Sequence, residues 1–360
     1  MKNTFGNNIS VTIFGESHGA EIGAVIDGLA PGIEVDEDVI ASYLARRRPS
    51  MATDTPRQEP DPFRIVSGVF NGKTCGTPIA ILIPNTDTRS SDYEYGPARP
   101  SHADLAAHMK YHGFEDYRGG GHFSGRITAA LVAAGGILLP ALEKRGIYIG
   151  THISDCADVS DRIFGDIKED IIALHGRMFP ALDENAGVLM CEKIIAAGAD
   201  SDSIGGVTET AISGLPAGVG EPWFDSVEGL ISHAVFSIGA IKGIEFGAGF
   251  ALAHMRGSEA NDAICTDGSS YHTLTNNNGG INGGITNGMP VIFKCAVKPT
   301  PTIARSQQTV NFVTGENIEM NAKGRHDPAV IRRICPVIDS VCAIVVCDLL
   351  AGRFGTDYLA

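Results

Sequence analysis

The side chains with the clearest capacity for chemistry in this sequence are two histidines set among glycines and arginines. His18 lies in the segment GESHG, and His102 lies three residues after Arg99 in RPSHADLAAHMKYHG. Imidazole titrates near neutral pH and is the side chain most often used to transfer a proton. A single histidine is more often structural. The pattern therefore leaves a proton donor and a packed histidine both open for His18 and for His102.

The segment GESHG also matches the Gly-x-Ser-x-Gly pattern of a serine hydrolase. That pattern has catalytic meaning only where a strand turns sharply into a helix. Here the following residues, AEIGAVIDGL, predict a second strand rather than a helix. The sequence therefore disfavours a serine hydrolase.

Three consecutive glycines, Gly119 to Gly121, precede an apolar segment in DYRGGGHFSGRITAALVAAGGI. A glycine-rich loop before a helix can turn backbone N–H groups toward an anion. Arg118, His122 and Arg126 would add donors there. The spacing matches neither a Walker loop nor the dinucleotide-binding fingerprint. An ordinary tight turn remains the alternative interpretation.

Three further segments carry cationic groups beside prolines. The arginine run of ARRRPS is predicted to project from a helix end, where it would bind an anion or simply be solvated. KPTPT, residues 298–302, suits a phosphate clasp or a rigid turn. KGRHD ends in Asp327, which with Pro328 predicts a helix N-terminus capped by the carboxylate. Together these segments indicate a site for an anionic ligand.

Composition limits the class of protein. The chain has 360 residues and a formal net charge of −14, which disfavours general binding to nucleic acid or anionic membrane. Its eight cysteines contain no C-x-x-C pair, so neither a zinc site nor any other metal site is predicted. The N-terminus lacks a signal-peptide pattern. We therefore expect a cytoplasmic protein, with the apolar segment 127–142 as a buried helix.

Strands and helices alternate irregularly along the chain, and no low-complexity linker divides it. This order favours one α+β domain over residues 1–360 rather than repeated βαβ units. SHADLAAHMKYHG predicts a helix capped by Ser101, with Gly113 just past its end.

Several long segments together resemble the chorismate synthase family. They occur in order from Phe14 to Val330 and are FGESHG, LARRRP, RPSHADLAAHMKYHGFEDYRGGG, DSIGG, LPAGVGEP, GGINGGITNG, KPTPT and KGRHDPAV. The resemblance implies a single-domain sandwich of antiparallel β-sheets around a helical layer, assembled as a homotetramer. It implies a carbon–oxygen lyase of the shikimate pathway of aromatic amino acid biosynthesis. The reaction would be the 1,4-anti elimination of phosphate from 5-enolpyruvylshikimate 3-phosphate to chorismate, requiring reduced FMN without net redox change.

The resemblance also implies roles for individual residues. His18, His102 and Asp327 match catalytic positions, and Arg47, Arg48 and Arg126 match arginines near the substrate. The implied FMN contacts are His122, Phe123, Ser124, Gly239, Ala240, Gly283, Lys298, Pro299, Thr300, Pro301, Thr302 and Arg325. The glycine run would let the backbone approach the flavin. Whether an external reductase or the protein's own activity reduces the flavin, with NADPH as an indirect reductant, stays open.

The chain departs from the common family pattern at two places. After the glycines, many members have arginine and glutamate where this chain has His122 and Ile127. An arginine usually found soon after the arginine run is delayed here to Arg57. Two other classes stay open beside the lyase: a flavin-dependent oxidoreductase and a non-catalytic flavin- or phosphate-binding protein.

Overall fold

The computed structural model describes residues 2–55, 60–88, 90–321 and 327–360. Arg57 and Arg325 lie outside the described residues. The α-helices are α1 (Glu37–Arg47), α2 (Asp104–Tyr111), α3 (Thr128–Lys144), α4 (Ile167–His175), α5 (Glu184–Ala199), α6 (Val227–Val235), α7 (Gly257–Ala260) and α8 (Ile331–Phe354).

The strands are mostly short and antiparallel. They are β1 (Thr4–Phe5), β2 (Ser10–Gly15), β3 (Glu21–Asp27), β4 (Arg64–Ser67), β5 (Val69–Phe70), β6 (Lys73–Thr74), β7 (Ile79–Pro84), β8 (Tyr148–Cys156), β9 (Val159–Ser160), β10 (Gly206–Ser213), β11 (Ile241–Phe246), β12 (Ile264–Thr266), β13 (Tyr271–Thr273), β14 (Ile281–Asn282), β15 (Ile285–Thr286), β16 (Val291–Val297), β17 (Ser306–Asn311) and β18 (Glu316–Asn321).

Two five-stranded sheets form the outer layers of the fold. The first has the order β1-β2-β3-β7-β4, and the second has the order β11-β16-β10-β8-β9. Alternate side chains of β7 are buried, with Ile79, Ile81 and Ile83 facing the core. This period of two is the pattern expected of a strand that covers a core with one face.

A helical layer separates the two sheets. Helix α3 packs on β3 and β7 of the first sheet, α8 packs on β8 and β10 of the second, and the two helices pack on each other. Helix α1 lies against both. The predicted α+β sandwich of antiparallel sheets around helices is confirmed.

Two helices are long and apolar enough to cross a membrane, Gly125–Lys144 and Ile331–Phe354. Within the fold, 78% of the most apolar stretch of the first and 100% of that of the second is buried. The predicted burial of the 127–142 segment is therefore correct, because its side chains fill the space between the sheets.

Both predicted N-terminal helix caps are wrong, whereas Gly113 does lie just past the end of α2. Helix α2 begins at Asp104, and Ser101 has a left-handed backbone with φ of 58°, so it cannot lead directly into the helix. Helix α8 begins at Ile331, four residues after Asp327. The Asp327 carboxylate is drawn away to a salt bridge with Arg333. Asp327 therefore pairs with Arg333 instead of capping a helix. At Ser101 the left-handed backbone conformation excludes the role of N-cap.

Candidate active site

A cavity of about 1180 Å³ opens where the first sheet, the helical layer and the glycine turn meet. It collects most of the residues singled out from the sequence. The predicted residues in its wall are Arg47, His102, His122, Phe123, Ser124, Gly239, Ala240, Lys298, Pro299, Thr300, Pro301, Thr302 and Asp327. Segments far apart along the chain therefore share one space.

His102 is held by the proline-rich loop that follows β16. Its Nε2 atom lies 2.6 Å from Thr302 Oγ1, in a hydrogen bond whose direction depends on the imidazole tautomer. Lys298 Nζ donates to the carbonyl oxygen of Ser101 at 2.8 Å. Burial lowers the pKa of Lys298, and the nearby charge of Lys242 acts in the same direction. The loop thus places an imidazole, a hydroxyl and an ammonium together at the cavity.

Asp327 receives one hydrogen bond on each oxygen. The backbone N–H of Thr55 donates to Oδ1 at 2.9 Å, and Arg333 Nη1 donates to Oδ2 at 2.7 Å. Arg333 also lines the cavity. The carboxylate is therefore fixed in direction at the wall.

Arg47 and Arg126 do not project into solvent; instead they share a buried counter-ion. Asp61 is fully buried and forms salt bridges with both guanidinium groups. Arg47 donates further to Thr128 Oγ1 at 2.9 Å, and Arg126 donates to Asn85 Oδ1 at 2.9 Å. The expectation of projecting arginines is wrong for Arg47, because burial requires each charge to be paired.

Each glycine of the triple run has a positive φ: 62° at Gly119, 80° at Gly120 and 54° at Gly121. A Cβ atom on Gly119 would lie 2.5 Å from the His18 ring, and one on Gly121 would lie 1.9 Å from the carbonyl oxygen of Asp116. The backbone therefore needs glycine here both for its conformation and for close approach. Gly119 and Gly120 also line the cavity.

His18 packs against this turn, but it does not form part of the cavity wall. Its Nδ1 atom lies 2.9 Å from Ser90 Oγ, and its ring meets Tyr93 edge-on with 5.3 Å between centroids. Tyr93 does line the cavity. His18 thus contacts two residues of the cavity wall, Gly119 and Tyr93.

Gly119→Ala is expected to displace His18 and to lower the thermal stability, because the added methyl would meet the imidazole in a strained backbone. Gly125→Ala is the matched control, since nothing lies within 4 Å of the place its added methyl would occupy and its φ is not positive. The measurement is the melting temperature of both variants together with the chemical shifts of the His18 ring. Equal stability of the two variants would contradict this account of the turn.

Other predicted site residues lie away from the cavity wall. Gly283 lies between β14 and β15, and Arg48 donates to the carbonyl oxygen of Pro60 at 2.5 Å. Arg126 is buried against Asp61. The fold brings His102 and Asp327 to the wall of one cavity. Gly283, Arg48 and Arg126 do not line that cavity.

Sequence reasoning missed three cations of the wall, Lys2, Arg99 and Arg333. Arg99 donates to both oxygens of Asp104, at 2.8 and 2.7 Å. Burial alone would raise the pKa of Asp104, but the hydrogen bonds and charge of Arg99 lower it. The five-residue spacing from Arg99 to Asp104 was visible in the sequence, whereas nothing local indicated that Arg333 faces the cavity.

The cavity has a polar part and an apolar part. Arginine, lysine, histidine, hydroxyl and carboxylate groups occupy the first, and the cations and hydroxyls among them suit an anion. The second is lined by side chains from β1, β2, α3, α8 and the end of α6, namely Phe5, Val11, Ile13, Leu131, Ile238, Val337, Val341 and Ile344. Such a cavity can hold an anionic small molecule beside a flat apolar one. Within the described ranges, no three His, Cys, Asp or Glu side chains converge as metal ligands.

Comparison with known proteins places this geometry in a family. The family model described as chorismate synthase matches residues 9–351. A chorismate synthase of Chitinophaga pinensis is 46% identical over 350 residues, covering 97% of this chain and 96% of the relative. The chorismate synthase of Pyrococcus abyssi is 43% identical over 350 residues, covering 97% of each chain.

A solved structure agrees with the sequence matches. A crystal structure of chorismate synthase superposes with a TM-score of 0.77 at 28% identity, covering 98% of this chain and 94% of that one. The match includes both sheets and the helical layer, since nearly the whole chain is aligned. This chain therefore belongs to the chorismate synthase family of lyases.

Proposed function

We propose that this enzyme eliminates phosphate from 5-enolpyruvylshikimate 3-phosphate in the 1,4-anti sense, giving chorismate, with reduced FMN bound beside the substrate. The observation that carries the proposal is the convergence of His102, Lys298, Thr302 and Asp327 on one cavity in a member of this family. These are the residue types that a phosphate elimination needs.

The polar part of the cavity suits the substrate, which carries a phosphate and two carboxylates. Arg99, Arg333 and Lys298 place positively charged groups at the wall. Arg47 lies at the wall as well, but its charge is already shared with Asp61. Arg99 and Arg333 are paired in the same way, with Asp104 and Asp327. Attraction of the anionic substrate is therefore assigned chiefly to Lys298, which donates to a backbone carbonyl.

His102 is assigned as the general acid that protonates the departing phosphate. The hydrogen bond to Thr302 Oγ1 limits rotation of the ring. Lys298 holds the segment before it through the Ser101 carbonyl and favours negative charge nearby. The phosphate would thus leave toward a proton donor and a cation.

The residues that line the cavity are suited to binding FMN. The cavity is large enough for two small molecules, has an apolar part for a ring system, and contains a buried Thr300 Oγ1 without a hydrogen bond partner among the described residues. His122, Phe123, Ser124, Gly239, Ala240 and residues 298–302 would hold the cofactor. When bound, reduced FMN supplies electron density as the C–O bond breaks.

Asp327 and His18 are assigned supporting roles. Asp327 would accept a hydrogen bond or a proton at the cavity wall, since both of its oxygens are held in place there. His18 would act through the Gly119 turn and Tyr93, because its ring packs against them. Arg48, Arg126, Gly283 and Arg325 stay predictions of the family resemblance.

The test is phosphate release from 5-enolpyruvylshikimate 3-phosphate under anaerobic conditions, with and without reduced FMN. We expect many turnovers for each reduced flavin, because the elimination consumes no electrons overall. Flavin oxidation in equal amount to product would favour an oxidoreductase. Binding of both molecules without phosphate release would favour a non-catalytic binding protein.

The family resemblance also predicts a homotetramer that acts on a small molecule, and the sequence predicts a cytoplasmic protein without general affinity for nucleic acid or membrane. The net charge of −14 supports the second part, because nucleic-acid binding requires a basic surface. NADPH as an indirect reductant stays a prediction. Sedimentation of the purified protein and an assay of flavin reduction by NADPH would test these statements.

A further inference from the structure

We propose that Arg333 is a positioning residue for Asp327, holding the direction of its carboxylate relative to the end of helix α1. The proposal rests on the proposed function, because it assumes that Asp327 acts in the reaction. It adds a residue that the sequence patterns and the family resemblance did not single out.

The guanidinium of Arg333 makes two bonds in different directions. Nη1 donates to Asp327 Oδ2 at 2.7 Å, and Nε donates to the carbonyl oxygen of Arg47 at 3.0 Å. The side chains of Arg333 and Asp327 are only 18% and 14% exposed. A planar guanidinium with two occupied nitrogens cannot rotate without breaking one of these bonds. Asp327 is thus tied to the C-terminal end of α1.

The neighbouring Arg332 supports the other oxygen of Asp327 indirectly. Arg332 and Asp54 form a salt bridge in which both side chains are 1% exposed. Asp54 also accepts the backbone N–H groups of Ser50 and Met51, at 2.8 and 3.0 Å. These bonds organise the loop whose Thr55 N–H donates to Asp327 Oδ1.

Two consecutive arginines near the start of α8 therefore control both oxygens of one carboxylate, Arg333 directly and Arg332 through a loop. Helix α8 is buried along nearly its whole length and gives both side chains a rigid base. A carboxylate held from both sides keeps a single orientation toward the cavity. We assign the positioning to Arg333 because, unlike Arg332, it can be changed without breaking a fully buried salt bridge.

The test is a double-mutant cycle between Arg333→Met and Asp327→Asn, read as kcat and KM for phosphate release. If Arg333 acts through Asp327, Arg333→Met lowers kcat by up to about 10²-fold, as expected for a small misplacement of a reacting group. KM changes much less. In the Asp327→Asn background the same substitution should lower kcat very little further.

Two variants separate this role from loss of charge or fold. Arg333→Lys keeps the charge but has one nitrogen for two bonds, so it should remain slow with a normal melting temperature. Arg353→Met removes an exposed arginine from the other end of the same helix and should leave kcat unchanged. Full activity of Arg333→Lys would overturn the proposal.

The remaining outcomes are also decisive. Equal losses from Arg333→Met in both backgrounds, or a raised KM at unchanged kcat, would mean that Arg333 acts on the substrate directly. A normal rate for Asp327→Asn beside a slow Arg333→Met would overturn positioning as well. Absence of phosphate release in the wild-type enzyme would contradict the proposed function instead, and in that case the Asp327–Arg333 coupling can be read from the melting temperatures of the same four proteins.

Discussion

Replacing His102 with alanine will slow phosphate elimination by about 10²- to 10⁴-fold, the usual contribution of a general acid. The imidazole lies at the cavity wall, 2.6 Å from Thr302 Oγ1 and beside the segment held by Lys298. Its removal takes away the proton for the leaving phosphate but leaves Lys298 and the arginines of the wall in place. Substrate and FMN should therefore still bind.

The measurement is the single-turnover rate at saturating substrate, recorded beside the melting temperature and the FMN content. His272→Ala is the control, because His272 is exposed on β13 and does not line the cavity. A structural histidine would behave differently, since its loss would lower stability and cofactor content together. A folded His102→Ala protein with a near-normal rate would disprove the assignment as acid.

Replacing Asp61 with asparagine will lower the free energy of unfolding by about 3–5 kcal/mol, the typical result of removing one partner of a buried ion pair. Asp61 is the shared counter-ion of Arg47 and Arg126, whose side chains are 4% and 3% exposed. Asparagine keeps the size of the side chain but removes the negative charge that two buried guanidinium groups share. The remaining hydrogen bonds to carbonyl oxygens and Thr128 cannot replace it.

Denaturant unfolding of the wild type and the variant measures this difference. Glu21→Gln is the control, because the pair of Glu21 with Arg64 is largely exposed, with Arg64 60% accessible. Such surface pairs contribute about 0.2–1 kcal/mol. If both variants lost a similar free energy of unfolding, burial would not determine how much the ion pairs of Asp61 stabilise the protein.

The main strands and helices could be predicted because the periodicity of apolar residues is a local property of the sequence. Alternation in β7 and the long apolar segments that became α3 and α8 were all visible in the sequence. The residues at which α2 and α8 begin could not be predicted from the sequence. The Asp327 carboxylate could cap a helix or pair with Arg333, and the choice depended on a guanidinium six residues later and on a loop far away along the chain.

The candidate site was predictable where long motifs carried the information. His102, the segment after the glycines and KPTPT all reached the cavity wall. The arginines were harder, because the sequence shows that Arg47 and Arg126 are cationic but not that Asp61 lies between them. Their pairing removed two charges that were expected to be available for an anion, while Lys298 reached the wall as predicted.

The sequence by itself determined the family, the residue types of the site and the need for an unusual backbone at Gly119 to Gly121. Only the tertiary structure decided which neighbours those glycines must accommodate, namely His18 and the carbonyl oxygen of Asp116. It also decided which charges face the cavity and which are paired in the core. The physical reason is that groups distant in the sequence form the environment of a charged side chain or of a glycine backbone. A local sequence pattern does not contain those groups.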